Sequence, residues 1–516
     1  MGKGQPELDP VPTLWGWLDQ DCVAYHARVR PKTAACVMLA PGTTLSFFEL
    51  DKEIARYAAA LAGAVSKRGA RVALLARNSL LHVVLFYASA RAGLVFVPLN
   101  WRLPAAELTQ LLGDFEPDIL FADEEFMPTA AEAVTGPVRL LPAGAPLPAG
   151  AEVRWAPLSV DEPWILLYTS GTTGRPKGAI VTRRSAFFSS FNFAQIGLLT
   201  PGCATLCDAP LFHTVGLFGI THSGLTAGMS ILISDRFIPA VTLERLSDPA
   251  LGITHYFGVP QMAKALRDDP AYAAADLSQL KGFFCGGAPL SAALQRAFLE
   301  DGVPLSNGYG STEGSTIMHV PLNREIALAK IGSCGLPTPA VEVRLVDLDG
   351  ADVPAGEVGE LWLRGPSVTP GYWRQPEATA AAFKDGWFRT GDAARQDEEG
   401  FHTVVDRWKD MFISGGENVY PAEVEAALLE LEGVAEVAVV GVPDERWGET
   451  GVAYLVRGAA SAVDEAAVQA FCKTRLAGYK RPALIRFVDS LPRNAAGKVR
   501  KQVLRAEHTD PTKAAG

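Results

Sequence analysis

YTSGTTGRPKG, residues 168–178, follows directly on an apolar run at 164–168. Its three glycines, Gly171, Gly174 and Gly178, let the backbone approach a ligand closely. Thr169, Ser170, Thr172 and Thr173 add hydroxyl donors, and Lys177 adds a positive charge. Successive backbone N–H groups in such a turn make a concave anion site. The stretch is not a Walker A loop, which needs Gly-Lys-Ser/Thr, because Pro176 precedes Lys177 and Gly178 follows it. Most Gly/Ser/Thr stretches are only flexible connections. A strand that delivers eleven consecutive residues of this pattern points instead to phosphate binding.

Upstream, residues 72–75 and 94–98 read as buried strands with a helical run at 80–91 between them. That βαβ pattern favours a parallel sheet covered by helices. Further strands are expected at 164–168, 230–234 and 280–285, with a helix at 291–300 and a Pro/Gly/Ala-rich loop at 143–150. From about Gly335 short alternating strands, at 341–346 and 359–364, come with an Asp349-Gly350 turn. After Asp410 a helix at 421–432 carries Pro421 in its first turn. Strands at 434–442 and 452–456 and a helix at 465–475 complete a compact α+β module of about 100 residues. The expected fold is therefore α/β. Residues 1–408 form a large N-terminal domain of helix-covered, mostly parallel sheets, with a small β-barrel-like subdomain at about 336–408. Residues 409–516 form a small α+β C-terminal domain.

The bulk properties agree. A chain of 516 residues exceeds one ordinary core, and 48% hydrophobic with 20% charged residues is normal for a folded protein. A net charge of −10 argues against nucleic acid or an anionic membrane as partner, so a phosphate ligand must be held by local donors. The seven cysteines are odd in number, widely spaced and without a CxxC pair, which suits reduced buried thiols. The N-terminus lacks the apolar core of a secretory signal, and the apolar region at 72–99 is broken by Arg77, His82 and Arg91. No integral membrane contact and a cytoplasmic enzyme are expected. The final Ala-Ala-Gly matches no peroxisomal or prenylation signal.

Taken in order, the motifs resemble those of the adenylate-forming superfamily over nearly the whole chain, in its acyl-CoA synthetase branch. That superfamily includes acyl-CoA synthetases, amino-acid adenylation domains and beetle luciferases. By this likeness NGYGSTEG, residues 307–314, is a second nucleotide motif containing Asn307, Gly308 and Gly310. Tyr309 would lie against adenine, Thr312 would contact the phosphates and Glu313 would hold Mg2+. An aromatic face suits a purine and a carboxylate suits a hard cation, although a Thr-Glu pair also suits a helix N-terminus. CGGAP supplies Gly286, Gly287, Ala288 and Pro289 beside adenine, and WFRTGD ends in Asp392, placed to accept both ribose hydroxyls. In DRWKDMFISGGENVYPAEVE, residues 406–425, Arg407 would reach the ribose or phosphate and Lys409 would be the hinge of a mobile C-terminal domain. Gly415 and Gly416 would line a pantetheine tunnel, unless they form only a hairpin turn.

PRNAAGKVRK, residues 492–501, resembles the C-terminal catalytic loop, with Lys498 as the adenylation lysine. Negative charge that builds on the phosphoryl oxygens and leaving pyrophosphate is stabilised by such a cation. His213, in PLFHTVGL, takes the place of the family's gate beside the carboxylate. Val215, Gly216, Phe218 and Gly219 would line the acid pocket together with residues near Asn307. Trp447, in GVPDERWGE, is either a contact for the nucleotide end of CoA or a packing residue.

The resemblance implies an AMP-forming carboxylate–CoA ligase that uses ATP, Mg2+ and CoA. It would activate a hydrophobic monocarboxylic acid (fatty, aryl or alicyclic), because the pocket segment carries no charge for a second carboxylate. An amino-acid-activating domain would place an Asp near 212–215 to pair with an ammonium, and none is present there. A stand-alone enzyme loading a carrier protein, a luciferase-like oxygenase and a nucleotide-binding regulatory protein are the rivals. The spacing of Pro492 and Gly497-Lys498 matches ligases acetylated on the catalytic lysine, which makes a lysine acetyltransferase a candidate partner. A homodimer is in keeping with a cytosolic enzyme.

Overall fold

The computed structural model describes residues 21–145, 156–169, 176–414, 417–444, 447–458, 461–493 and 499–509. By contacts the chain divides into two compact units, one of residues 1–342 with 363–388 and one of residues 343–362 with 389–516.

The first unit contains two large sheets. A six-stranded sheet runs Arg139–Pro142, Ile119–Ala122, Arg71–Leu75, Val95–Leu99, Pro163–Thr169, Lys177–Thr182. It is parallel throughout except for its last pair. The strand Arg71–Leu75 is buried on both faces, with Val72 and Leu74 in one core and Ala73 and Leu75 in another. Two-sided burial explains why it reads as a continuous apolar run rather than as an alternation. The helix Leu80–Arg91 is buried along residues 82–90, and the Trp164 indole N–H donates to the Phe86 carbonyl at 2.7 Å. Such all-round apolarity is what an interior helix requires.

The second sheet has nine strands, ordered Leu336–Pro337, Ser315–His319, Leu305–Ser311, Gly282–Cys285, His255–Gly258, Ala204–Cys207, Ser230–Ile233, Ala34–Met38, Thr43–Ser46. Its interior pairings are parallel and both ends are antiparallel. The parallel strands end side by side, and ligands of open α/β sheets bind beyond such carboxyl ends. At one of these ends Asp208 is buried and accepts from the Thr242 hydroxyl at 2.7 Å and the Tyr256 phenol at 3.1 Å. Burial pushes its carboxyl up from 3.8 to about 6, against those two hydroxyls and Arg245. The folded chain thus binds a proton more tightly than the unfolded one, so Asp208 makes stability fall as pH rises from about 4 to about 6. Asp208→Asn keeps an acceptor for both hydroxyls. It is expected to flatten that part of the melting-temperature profile and to stabilise the protein at pH 7 by on the order of 2 kcal/mol. An unchanged profile in thermal melts from pH 4 to 8 would count against this assignment.

The β-rich stretch expected after Gly335 is a five-stranded sheet of Glu342–Val346, Val358–Arg364, Phe383–Lys384, Trp387–Gln396 and His402–Arg407. In the second unit a further five-stranded sheet is ordered Glu417–Val419, Phe412–Ser414, Gly448–Arg457, Val434–Asp444, with Leu484–Phe487 parallel to Gly448–Arg457. Its two faces carry separate cores. Val439, Ala453 and Leu455 pack with residues of the helices Pro421–Leu429 and Glu465–Arg475, while Val440, Val452 and Tyr454 pack with Leu504 of the helix Lys501–Thr509. The helix beginning at Pro421 stops at Leu429, short of the expected 432, because the chain turns through Gly433 at φ 94°. The Val434–Asp444 strand runs two residues beyond its expected end, into the turn before Gly448.

Candidate active site

In the first unit the site is built around the hairpin that opens the Gly/Ser/Thr loop. Thr169 pairs with Lys177, and the Thr169 hydroxyl donates to the Lys177 carbonyl at 3.4 Å, which closes the loop at its base. Ser170, Gly171, Thr172, Thr173 and Gly174 lie outside the described residues. The Tyr168 phenol donates to Asp114 at 2.7 Å, and its ring covers Gly178, where a Cβ would come within 3.0 Å of it. The Lys177 ammonium stands 5.0 Å over the ring of Tyr372.

Tyr372 links this loop to the second nucleotide motif. Its phenol donates to Glu313 Oε1 at 2.9 Å, and the Thr369 N–H donates to the Glu313 carbonyl at 2.7 Å. The same segment is hydrogen-bonded to the hairpin. Trp373 N–H donates to the Gly178 carbonyl at 2.8 Å, Gln375 Nε2 to the Pro176 carbonyl at 3.1 Å and Thr369 Oγ1 to the Ile180 carbonyl at 2.7 Å. Thr312 and Glu313 lie in a tight turn between Leu305–Ser311 and Ser315–His319, not at a helix N-terminus. Gly286 follows the strand paired with Asn307, and a Cβ there would come within 3.0 Å of the Gly308 carbonyl. Gly287 adopts φ 85°, which favours glycine, and Ala288 and Pro289 continue that turn. The Asn307 amide donates to the Ser333 carbonyl at 2.7 Å, and Tyr309 pairs with Met318 across the hairpin.

His213 is exposed and heads a helical segment whose core, Val215–His222, is a π-helix. Such turns are frequent at functional sites. Val215 is half-buried at its start. Gly216 packs directly on the Pro210 carbonyl, Gly219 lies against the Phe257 ring, and Phe218 is in the core against Phe86, 5.6 Å between centroids.

In the second unit Asp392 is buried and in register with Arg407, whose Nε stands 3.0 Å from its Oδ1. Lys409 lies in the short 3-10 turn Trp408–Asp410, exposed. Next to it Asp410 pairs with Arg505 at 3.1 Å. Trp447 is 42% exposed in the turn before Gly448, and its N–H donates to Asp444 at 2.8 Å. Gly415, Gly416 and Lys498 lie outside the described residues. Arg493 and Val499 form a bridge that closes the Lys498 loop at its base.

Sequence reasoning missed Tyr372. Its only sign was Gly371-Tyr372 after Thr369-Pro370, an ordinary turn pattern in the absence of partners. Among the described residues no cluster of three or more His, Cys, Asp or Glu could enclose a metal. One carboxylate fits Mg2+, which usually takes one or two protein carboxylates and completes its shell with phosphates and water. Glu313 could supply such a carboxylate, and one of its oxygens is held by the Tyr372 phenol. Among the described residues no helix is long and apolar enough to cross a membrane.

Residues 23–373 match the family model described as AMP-binding enzyme, and residues 423–498 match the AMP-binding enzyme C-terminal domain. The chain belongs to the AMP-binding enzyme family. It is 40% identical over 478 residues to a feruloyl-CoA synthase from Amycolatopsis sp, covering 93% of this chain and 97% of that protein. It is 37% identical over 504 residues to an indoleacetate–CoA ligase from Aromatoleum aromaticum, covering 95% and 97%. Among solved structures, the o-succinylbenzoate CoA synthetase of Bacillus subtilis with its acyl-adenylate intermediate matches with a TM-score of 0.85 at 32% identity. That match covers 94% of this chain and 97% of the other. The same synthetase, bound to ATP and a magnesium ion, matches with a TM-score of 0.84 at 31% identity, over 95% and 99% of the two chains. These relatives place the chain in the acyl-CoA synthetase branch of the family, the AMP-forming acid–CoA ligases.

Proposed function

We propose that this enzyme activates a hydrophobic monocarboxylic acid with ATP as its acyl-adenylate, and then transfers the acyl group to CoA with release of AMP. The observation that carries the reading is the junction made by Tyr372, which holds Glu313 and the Lys177 cation on one ring beyond the parallel strand ends. Mg2+ held at Glu313 would neutralise phosphate charge. The chain's own residues position the reactants. Thr169, Lys177 and the hydroxyls of the loop hold the phosphates, with Thr312 beside them. Gly286 to Pro289 and Tyr309 border the adenine, and Asp392 accepts from the ribose with Arg407 alongside. His213 stands at the carboxylate, and Lys498 stabilises the charge that develops on the phosphoryl oxygens. Residues from Lys409 onward then turn about that hinge, withdrawing Lys498 and bringing Gly415, Gly416 and Trp447 to the thiol route. A cytoplasmic location, a homodimer and control by acetylation of Lys498 are consistent with this scheme.

The test is to incubate the protein with MgATP, CoA and a panel of carboxylic acids and to detect acyl-CoA by mass spectrometry. Acyl-CoA formation is expected. AMP release without a thioester would redirect the reading to another acceptor, and no turnover with any acid would overturn it.

Tyr372→Phe tests the junction separately. The ring under Lys177 stays while the donor to Glu313 goes. A hydrogen bond to a charged group contributes about 1.5–3 kcal/mol, so the Mg2+ concentration for half-maximal adenylation is expected to rise roughly tenfold. Magnesium titration of ATP–pyrophosphate exchange reads this directly, and an unchanged titration would remove Tyr372 from the site.

A further inference from the structure

One buried amide joins the two large sheets of the first unit. Asn78 lies three residues beyond the strand Arg71–Leu75 of the six-stranded sheet and is 4% exposed. Its side chain reaches the backbone that leaves the strand Ala204–Cys207 of the nine-stranded sheet. Asn78 Nδ2 donates to the Ala209 carbonyl at 2.9 Å, and Asn78 Oδ1 accepts from the Leu211 N–H at 2.8 Å. A backbone carbonyl only accepts and an N–H only donates, so these two bonds fix which way round the amide lies. The partners are 131 and 133 positions away along the chain, and the pair of bonds straddles Pro210.

The segment gripped in this way carries His213. Ala209, Leu211 and Phe212 are buried, whereas His213 is exposed. The His213 N–H donates to the Pro210 carbonyl at 3.2 Å, and the His213 carbonyl accepts from the Leu217 N–H at 3.0 Å. Gly216 lets the π-helix sit on this turn, since a Cβ there would overlap the Pro210 carbonyl. The Arg102 guanidinium, from beyond the strand Val95–Leu99, stands 5.6 Å over the Phe212 ring. An apolar side chain at position 78 would leave the Ala209 carbonyl and the Leu211 N–H buried without their amide partner, which is costly for both. A carboxylate there would set one acceptor against another at Ala209.

Resting on the acid–CoA ligase reading, we infer that Asn78 is a positioning residue for the first half-reaction. It acts through the backbone of the turn 209–213, holding one sheet's loop from the end of the other so that His213 meets the acid's carboxylate. Displacing a reacting group's partner by about 1 Å can cost on the order of 10²-fold in rate. The groups proposed to hold ATP, Lys177 and Glu313 among them, are fixed by the separate contacts of Tyr372. Loss of the Asn78 bonds should therefore impair use of the acid and spare the binding of ATP.

The experiment uses the full-length wild type, Asn78→Asp and Asn78→Ala, with decanoic, cinnamic and benzoic acids as probes. ATP–pyrophosphate exchange gives kcat/KM for the acid and KM for ATP, each compared with the wild type at the same pH. At about pH 8 both variants are expected to lose about tenfold or more in kcat/KM for the acid, with KM for ATP within about twofold of the wild type. At about pH 6 only Asn78→Asp should recover, to within about threefold. Its carboxyl, buried against a carbonyl, is driven towards the protonated form, which again donates to Ala209 and accepts from Leu211. Thermal melts at both pH values give the folded fraction to which the rates are referred. Wild-type use of the acid by either variant at the higher pH, a parallel loss in acid and ATP parameters, or no recovery of Asn78→Asp at the lower pH overturns the inference while leaving the ligase reading intact. Failure of the wild type to activate any probe or to convert any to acyl-CoA counts against that reading instead.

Discussion

Lys498→Ala is expected to lower acyl-adenylate formation about 10²–10³-fold, the range for removing one preorganised donor from a developing charge. As the acid's carboxylate attacks the α-phosphate, negative charge grows on the phosphoryl oxygens and on pyrophosphate, and the chain's net charge of −10 offers no general field to offset it. The compensation must come from cations delivered locally. In the proposed mechanism Lys177, which stands over the Tyr372 ring, is one, and Lys498 would be the second. The loop that carries it is closed at its base by the Arg493–Val499 bridge and by the Arg500 N–H donating to the Pro492 carbonyl at 2.8 Å. Pyrophosphate exchange reads the first step, and thioester formation from a supplied acyl-adenylate reads the second. The first should collapse and the second survive near wild-type rate. Equal loss in both would show that Lys498 serves the fold or both steps, and the division of labour would be wrong.

What was legible in the sequence follows the strength of local signals. The strands at 72–75 and 94–98 and the helix at 80–91 lie within a residue or two of their expected places, because two-sided burial demands unbroken apolar runs. The helix at 465–475 was legible from its polar–apolar spacing, and the structure adds the Asp464 cap on Ala467 N–H at 2.8 Å. The nine-stranded order was not legible. Its neighbours Ala34–Met38 and Ser230–Ile233 are almost two hundred residues apart, and no local pattern encodes such pairing. The nucleotide motifs were legible as composition, but the contact that joins two of them was not. Tyr372 reaches Glu313 from 59 positions away, and His319 reaches Gly308 only because the hairpin registers them. Residue identity announces chemistry, whereas register and long-range packing decide which side chains share it.

Lys501→Met is expected to destabilise the second unit by about 3 kcal/mol at neutral pH, the usual cost of stripping one partner from a buried ion pair. Lys501 Nζ lies 2.7 Å from Glu425 Oε1, with the two side chains only 16% and 18% exposed. The same carboxylate also accepts from the Val439 N–H at 2.7 Å, which ties the helix Pro421–Leu429 to the edge strand Val434–Asp444. Burial pushes the Glu425 carboxyl up and Lys501 pulls it back. Asp406, whose Oδ2 accepts from the Ala422 N–H at 2.6 Å, is raised by burial and held back by the same ammonium. Without Lys501 both carboxyls rise further, so the folded variant gains protons that its unfolded chain has already lost. Its deficit relative to wild type should therefore grow as pH rises from about 5 to 7.5 and shrink on acidification. Adding Glu425→Gln removes the stranded charge and should recover a large part of the loss, which is the coupling a double-mutant cycle measures. Urea melts of the four proteins at the two pH values decide it. A Lys501→Met deficit below about 0.5 kcal/mol at pH 7.5 would mean that the pair behaves as a solvated surface contact. A large deficit that Glu425→Gln fails to relieve would assign the energy to Asp406. Because the helix Lys501–Thr509 begins three residues after Lys498, the confirmed clamp would also show how the proposed catalytic loop is rooted: through a buried charge on Lys501 and, one turn on, through Arg505 on Asp410, the neighbour of the proposed hinge Lys409.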